Sequence, residues 1–372
     1  MAALRAVLAR GRGGAVEAAL RDRRAREHRT PLWGSWWDGR SRAALRIGIP
    51  AIMAVEQLVE AWQVAAQAAD PTRFPPSGAL SRALASTPAA AWGLYAMILL
   101  GLVLVARDRS PVKAGLWALA WAALLSEWQT QIFGSPSRNA FFPGAALLGW
   151  VLGQLWATTV LERSPHAASR DVSTHRDLRE RLGEAGALAC IAAAYVGSCT
   201  SKLLAAGASW ADATQVRALI LWQEPLAEWT WLLAWRDAIA EDPALARAAA
   251  LATLVIEGGA LLLLLGPRLR LVWSMLLVGL HASITLLCTM PYLEPCALLV
   301  LLAVPWPAAA AAGGVQAPSR TEATHVTEGV TGAVTEGEDP LERPALPLAM
   351  AVALGCVVLL AWAVAPFGWR GH

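Results

Sequence analysis

Long apolar runs recur along this chain, and they constrain its fold more than any other feature. Runs of roughly 18 or more mostly apolar residues begin near positions 43, 89, 141, 182, 248 and 269. A helix of about 20 such residues crosses the hydrocarbon layer of a bilayer. Charged residues make up only 16% of the 372 positions, against about 25% in soluble domains. The sequence predicts an all-α, polytopic helical membrane bundle of about 8–10 membrane helices.

Composition divides the chain into four parts. Residues 1–40 are rich in arginine and are predicted to form a basic amphipathic segment on the cytoplasmic face of the membrane. Residues 41–307 hold the transmembrane bundle. Residues 308–345 are rich in Ala, Gly, Thr and Glu and are predicted to be a disordered linker, and 346–372 hold a last transmembrane helix. The arginines are expected to contact anionic membrane lipids, and no nucleic-acid partner is expected.

The distribution of arginine and lysine predicts the orientation. Basic residues are concentrated in 1–40, 107–113 and 162–181, so these segments and the N-terminus are predicted to be cytoplasmic. High alanine and arginine content is typical of a GC-rich bacterial genome, which makes a bacterial inner membrane the expected location. Residues 211–240 are ambiguous. If they cross the membrane, the basic turn 266–270 falls outside, so an interfacial or re-entrant amphipathic segment is favoured.

A few polar residues interrupt the apolar runs at similar depths. Counting from the cytoplasmic helix ends at about 1.5 Å per residue, Glu60, Glu127 and Lys202 lie about 20–25 Å into a layer of about 30 Å. Glu257 and His281 lie nearer the middle. Ionisable residues inside a membrane are costly and are candidates for a functional site. Their common depth predicts a polar cavity that opens outward.

Each of these residues also has a structural interpretation. Lys202 is close enough to the surface for its side chain to reach the water. His281 is then a satisfied core histidine, and Glu257 pairs with a helix donor or an arginine. Glu56 and Glu60, which share one face of the first helix with Gln63, then join that helix to a neighbour. No spacing typical of a metal site occurs, and no metal is expected.

The stretch from Tyr195 to Trp210 carries a family resemblance. Tyr195, Lys202-Leu203 and Trp210 resemble the "Y-x-x-A-G-x-x-K-L…W" helix end of the HTTM membrane domain, which is shared with vitamin K-dependent gamma-carboxylase. Ser198 and Cys199 stand where that pattern has Ala-Gly. Several further features are similar to the same domain over about residues 46–307: Arg46, Asn139, His281 in an apolar helix, Met290-Pro-Tyr292, and Pro305-Trp-Pro307.

The resemblance implies a chemistry for the site. In the carboxylase branch the lysine that matches Lys202 is the base linked to oxidation of a reduced quinone, a vitamin K-like cofactor. A carbon-bound proton is then removed from the substrate and carbon dioxide adds. His281 would assist by polarising a quinone oxygen, and a lipid-like or peptide substrate is implied. The alternative is a non-catalytic membrane protein of the same fold that binds lipid or a protein partner. Together with the predicted cavity, this gives the expected substrate-binding residues: Tyr195, Trp210, Glu257, Glu60, Glu127 and Asn139.

Overall fold

The computed structural model describes residues 39–70, 78–84, 87–133, 141–163, 172–290 and 292–303. Within these ranges the chain consists of helices and turns, and no strand occurs among them. The predicted all-α bundle is confirmed. The N-terminal basic segment up to residue 38, the linker, the C-terminal helix and Asn139 lie outside the described residues.

Eleven α-helices follow one another in the described part of the chain, with two short 3₁₀ segments, Gly207–Ala211 and Gly259–Leu264. The helices are α1 Gly39–Ala68, α2 Ala79–Leu84, α3 Pro88–Ala106, α4 Pro111–Phe133, α5 Phe141–Arg163, α6 Val172–Ala206, α7 Ala213–Trp222, α8 Thr230–Glu241, α9 Pro243–Gly258, α10 Pro267–Cys288 and α11 Leu293–Ala303.

Five helical segments of the described chain are long and apolar enough to cross a membrane: Pro88–Ala106, Phe141–Thr159, Leu178–Ala211, Pro243–Leu264 and Arg268–Cys288. α1 and α4 also have the length, at 30 and 23 residues, but they carry several polar side chains. α11 is a shorter apolar helix. Many large apolar side chains on these helices are exposed, which is the surface that a protein in lipid presents. The chain is an integral membrane protein.

Glycines bring α5 and α6 into backbone contact. A Cβ atom added to Gly186 would lie 2.0 Å from the carbonyl oxygen of Gly149, and one added to Gly153 would lie 1.9 Å from that of Leu182. Small residues at such spacing let membrane helices approach closely and gain van der Waals contact. α6 is consequently the most enclosed of the five candidate spans, and it carries the residues of the candidate site.

Ion pairs gather at one end of the bundle. Arg46 near the start of α1 pairs with Asp108 at 2.7 Å, and Arg176 near the start of α6 reaches the same carboxylate at 3.2 Å. Arg270, in the first turn of α10, pairs with Glu184 of α6 at 3.0 Å. Residues 266–270, predicted to form a basic turn, are Gly266 and the start of α10, and they lie at the same end as the α3–α4 turn and the start of α6. That arrangement requires residues 211–240 to begin and end on one side.

The segment 211–240 forms two short helices rather than one long one. α7 and α8 have 10 and 12 residues, or about 15 and 18 Å, against a hydrocarbon layer of about 30 Å. The buried guanidinium of Arg236 ties them down by donating to the carbonyl oxygens of Ile220, Gln223 and Leu287. Trp222 is 86% exposed and Trp235 60%. This geometry favours the interfacial interpretation.

One helix boundary differs from the sequence expectation. The apolar run of α6 was expected to begin near residue 182, after the basic segment 162–181, but α5 continues to Arg163 and α6 already begins at Val172. The added helix is polar, and its side chains are paired: Arg176 binds Glu180 one turn on at 3.2 Å, and Arg179 donates to Gln154 of α5 at 3.1 Å. Pairs at this spacing stabilise helix that extends beyond the membrane.

The glycine contact between α5 and α6 is testable. Gly186→Ala should lower the free energy of unfolding by about 1–3 kcal/mol, because an overpacked methyl forces the two backbones apart. Gly93→Ala in α3 is the matched control, because nothing lies within 4 Å of its added Cβ. That variant should be neutral or stabilised by up to about 1 kcal/mol. Thermal unfolding in detergent would compare them. Equal behaviour of the two variants would contradict the packing argument.

Candidate functional site

Lys202 of α6 is paired with Glu257 of α9 inside the bundle. The ammonium group donates to both carboxylate oxygens of Glu257. It also donates to the hydroxyl of Ser198, one turn back on α6, at 3.2 Å. A helical side chain leans towards the N-terminus of its helix, and here that direction leads away from the end of α6 at Ala206. Lys202 therefore points into the protein rather than out to the water.

The two members of this ion pair differ in exposure. The side chain of Glu257 is 8% exposed and that of Lys202 is 23% exposed. A carboxylate taken out of water needs a partner, because an unpaired buried charge costs several kcal/mol. Glu257 has that partner in Lys202, while Lys202 remains accessible from one side. Lys202 is thus the more accessible member of the pair.

A turn after α6 brings Trp210 over the lysine. Gly207 adopts a left-handed φ of +59°, which ends α6 as such glycines commonly do. The following 3₁₀ segment folds back, and the Trp210 ring lies with its centroid 5.0 Å from Lys202 Nζ. A cation over an aromatic face is stabilised by about 0.5–2 kcal/mol. Trp210 thus packs against the ammonium group, which remains partly exposed.

Tyr195 and His281 form a second polar pair deeper in the bundle. The Tyr195 hydroxyl lies 2.7 Å from His281 Nε2. Three aromatic rings surround the imidazole, those of Tyr195, Phe142 and Tyr292, with centroids 5.6, 6.1 and 5.1 Å from it. His281 is 5% exposed and its Nδ1 has no hydrogen-bond partner. If the phenol donates to Nε2, then Nδ1 carries the proton and is a free donor.

α6 and α10 are joined by the Tyr195–His281 hydrogen bond and also by the Glu184–Arg270 ion pair. Glu184 and Tyr195 are 11 residues apart on α6, and Arg270 and His281 are 11 residues apart on α10. Each contact joins residues separated by 86 in sequence. α6 and α10 therefore run parallel and in register, with their two contacts about 16 Å apart along the axes. The ion pair at the basic end fixes the depth at which the imidazole meets the phenol.

Periodicity on α6 explains how the two pairs form one site. Tyr195, Ser198 and Lys202 follow at i, i+3 and i+7, so they share one face of the helix. Lys202 lies two turns beyond Tyr195, about 10 Å along the axis, and it is near enough to interact electrostatically with His281. The site is a column of polar groups within an apolar wall.

The two residues that depart from the HTTM pattern have structural roles. Ser198 accepts from Lys202, and the Cys199 thiol donates to the carbonyl oxygen of Leu254 on α9 at 3.4 Å. Gly258 is close to the same sulfur, since its added Cβ would lie 3.3 Å away. Together these contacts tie α6 to the helix that carries Glu257.

Of the expected site residues, the structure brings together Lys202, Glu257, Trp210, Tyr195 and His281. Glu60 is buried elsewhere, between α1 and α4, where Gln57 and Ser126 donate to it. Glu127 is exposed and accepts from Gln131 of its own helix at 2.8 Å. Asn139 lies outside the described residues. Sequence reasoning missed Phe142 and named Tyr292 only as part of the resemblance, because the proximity of both rings to His281 arises from the packing of α5 and of the residue before α11 against the site.

No family model, no curated protein and no solved structure matches this chain. The site must therefore be interpreted from its own geometry. That geometry offers a charge pair for proton exchange, a covering tryptophan, and a buried imidazole with one free nitrogen between aromatic rings.

The Lys202–Glu257 pair makes a prediction about stability. Lys202→Met should lower the free energy of unfolding by about 3–5 kcal/mol, because it leaves Glu257 buried without a partner. Adding Glu257→Gln should restore most of that loss. Lys113→Met, at an exposed lysine of α4, is the control and should change stability by about 0.5 kcal/mol or less. Chemical unfolding in micelles would measure the two single variants and the double variant. If the effects of Lys202→Met and Glu257→Gln on the free energy of unfolding simply added, the two residues would not be a direct pair.

Proposed function

We propose that this chain is a membrane enzyme of the HTTM type, similar to the membrane domain of vitamin K-dependent gamma-carboxylase. It would act on a lipid-like or peptide substrate within the bilayer, with a reduced quinone as cofactor. The observation that carries the proposal is the pairing of Lys202 with Glu257, two turns above the Tyr195–His281 hydrogen bond. The resemblance in sequence was based on the lysine, the tyrosine and the histidine, and these residues share one site.

The residues around His281 fit a flat, oxygen-bearing ring. The imidazole Nδ1 is buried and has no partner, and a quinol or quinone oxygen is an acceptor for such a donor. Phe142 and Tyr292 would hold the ring by aromatic contact, and Tyr195 keeps the imidazole in the tautomer that donates. When bound, a reduced quinone would be oxidised by molecular oxygen, and that oxidation would supply a base strong enough to remove a carbon-bound proton.

The ion pair modifies the role expected for Lys202. A lysine acts as a base only when neutral, whereas a carboxylate in contact favours its charged form. The base is therefore better described as the Lys202–Glu257 pair than as Lys202 alone. Lys202, the more accessible member, would receive the substrate proton after its own proton has passed to Glu257, which leaves an ammonium group beside a neutral carboxyl group. Ser198 orients the ammonium group, and Trp210 limits the access of water.

The location follows from the same proposal. The basic end of the bundle, with Arg46, Arg176 and Arg270, is assigned to the cytoplasm by the excess of arginine on that side. Lys202 then lies towards the outer half of the membrane. The composition suggests a bacterial inner membrane with a cytoplasmic N-terminus.

The test uses the full chain in lipid nanodiscs with reduced naphthoquinone, oxygen and labelled carbon dioxide. We expect quinol oxidation and transfer of label to the lipid or peptide fraction. Lys202→Arg keeps the charge and the ion pair but does not lose its proton, so it should reduce the rate by about 10²-fold or more without loss of stability. Glu241→Gln, at the exposed end of α8, is the control and should retain the wild-type rate.

The outcome also decides between the two candidate functions. If wild-type protein neither oxidises quinol nor fixes label, the enzyme proposal fails. The ring site can still be measured, because bound naphthoquinone quenches tryptophan fluorescence. Quenching that is weakened by His281→Phe, without turnover in the wild type, would favour a non-catalytic protein that binds lipid-like rings. The ion pair satisfies both of its own members, which is what such a structural role would require.

A further inference from the structure

A second polar region lies between α1, α4 and α11, away from the residues assigned to the reaction. Glu56 of α1 is 2% exposed, and neither of its carboxylate oxygens has a hydrogen-bond partner. It interacts electrostatically with Glu60 one turn on and with Glu294 of α11. A buried carboxylate that has only other carboxylates as charged neighbours is strongly disfavoured in its ionised form.

The uncharged neighbours do not supply donors to Glu56. Gln57, which is 1% exposed, donates its amide to Glu60 at 2.7 Å, and its own Oε1 has no partner. Gln129 of α4 donates to Gln63 at 3.1 Å, and its Oε1 is again without a partner. Glu294 Oε2 is also buried and unpartnered. In this region of the described chain the unsatisfied atoms are all acceptors.

The three carboxyl groups are not equivalent. Glu60 accepts from the Gln57 amide at 2.7 Å and from the Ser126 hydroxyl at 3.3 Å. Hydrogen bonds of this kind stabilise a carboxylate. Glu56 accepts none, so it gains least from ionisation. A proton on Glu56 would remove the repulsion and would provide one O–H donor among several acceptors.

We propose that Glu56, Glu60 and Glu294 form a proton-binding site inside the membrane, in which Glu56 holds the proton at neutral pH. The buried cations that the structure pairs, Lys202 and Arg270, have their own acidic partners elsewhere. The described residues contain no group of three or more His, Cys, Asp and Glu side chains placed to hold a metal ion. A proton would neutralise the buried Glu56 carboxylate as a metal cation would, but it needs no set of coordinating ligands. The proposal does not depend on the quinone chemistry.

Infrared spectroscopy of the full chain in nanodiscs tests the site, because a protonated carboxyl has a C=O stretch apart from the amide bands. We expect such a band at neutral pH in wild type, with a shift in D₂O and loss in Glu56→Gln. The variant should unfold at a temperature no lower than wild type, since its amide supplies a donor in the same shape. Glu241→Gln, whose carboxyl is exposed on α8, should leave the band unchanged.

Three results would overturn the proposal. One is a wild-type spectrum without a protonated carboxyl band at neutral pH. Another is a band that persists in Glu56→Gln and disappears only in Glu294→Gln or Glu60→Gln, which would place the proton on another group. The third is disappearance of the wild-type band on addition of sodium at constant pH but not of choline, which would make the region a site for a metal cation. None of these readouts involves turnover, so failure here leaves the enzyme proposal to its own test.

Discussion

A charge within the hydrocarbon layer must find its partner inside the protein, and this constraint organises the bundle. An ion moved from water to a medium of low polarity loses many kcal/mol of solvation, even after relaxation. The protein offsets that cost by pairing Arg270 with Glu184 towards one end of α6 and Lys202 with Glu257 towards the other end. Both pairs include α6, so the helix that is most enclosed is also the one on which the others are positioned.

The spacing of its contacts means that α6 fixes the position of α10 along the bundle axis. Its Glu184 and Tyr195 are matched by Arg270 and His281 at the same interval on a parallel helix. A shift of α10 by one residue would move its partners by about 1.5 Å and turn them by about 100°. Both contacts would then break together. The ion pair near the surface thus constrains the geometry of the imidazole about 16 Å away, without contact between the two.

Much of the fold could be predicted from the sequence because lipid makes simple demands. Long apolar runs set the helix starts to within a few residues for α3 and α5. The charge of residues 266–270 favoured an interfacial segment at 211–240, and the short lengths of α7 and α8 favour the same interpretation. The start of α6 was missed, since salt bridges such as Arg176–Glu180 rather than hydrophobicity stabilise its first turns. The site was partly predictable for the same reason. Depth grouped Lys202 with Glu60 and Glu127 and placed Glu257 and His281 nearer the middle. Depth says nothing about direction around a helix, and the structure brings Lys202 to Glu257 while Glu60 and Glu127 have other surroundings.

The direction of Lys202 decides how far the base assignment can go. A snorkelling lysine would extend towards residue 206 and the water, and its charge would have no catalytic use. Here the contact with Ser198 shows that the Lys202 side chain runs back along α6. Its ammonium group pairs with the buried carboxylate of Glu257. The ammonium group offsets part of the cost of burying the Glu257 carboxylate, so each charge stabilises the other. An ammonium group has no free electron pair with which to bind a proton. In the proposed reaction, Lys202 could therefore accept a substrate proton only after its own proton had passed to Glu257.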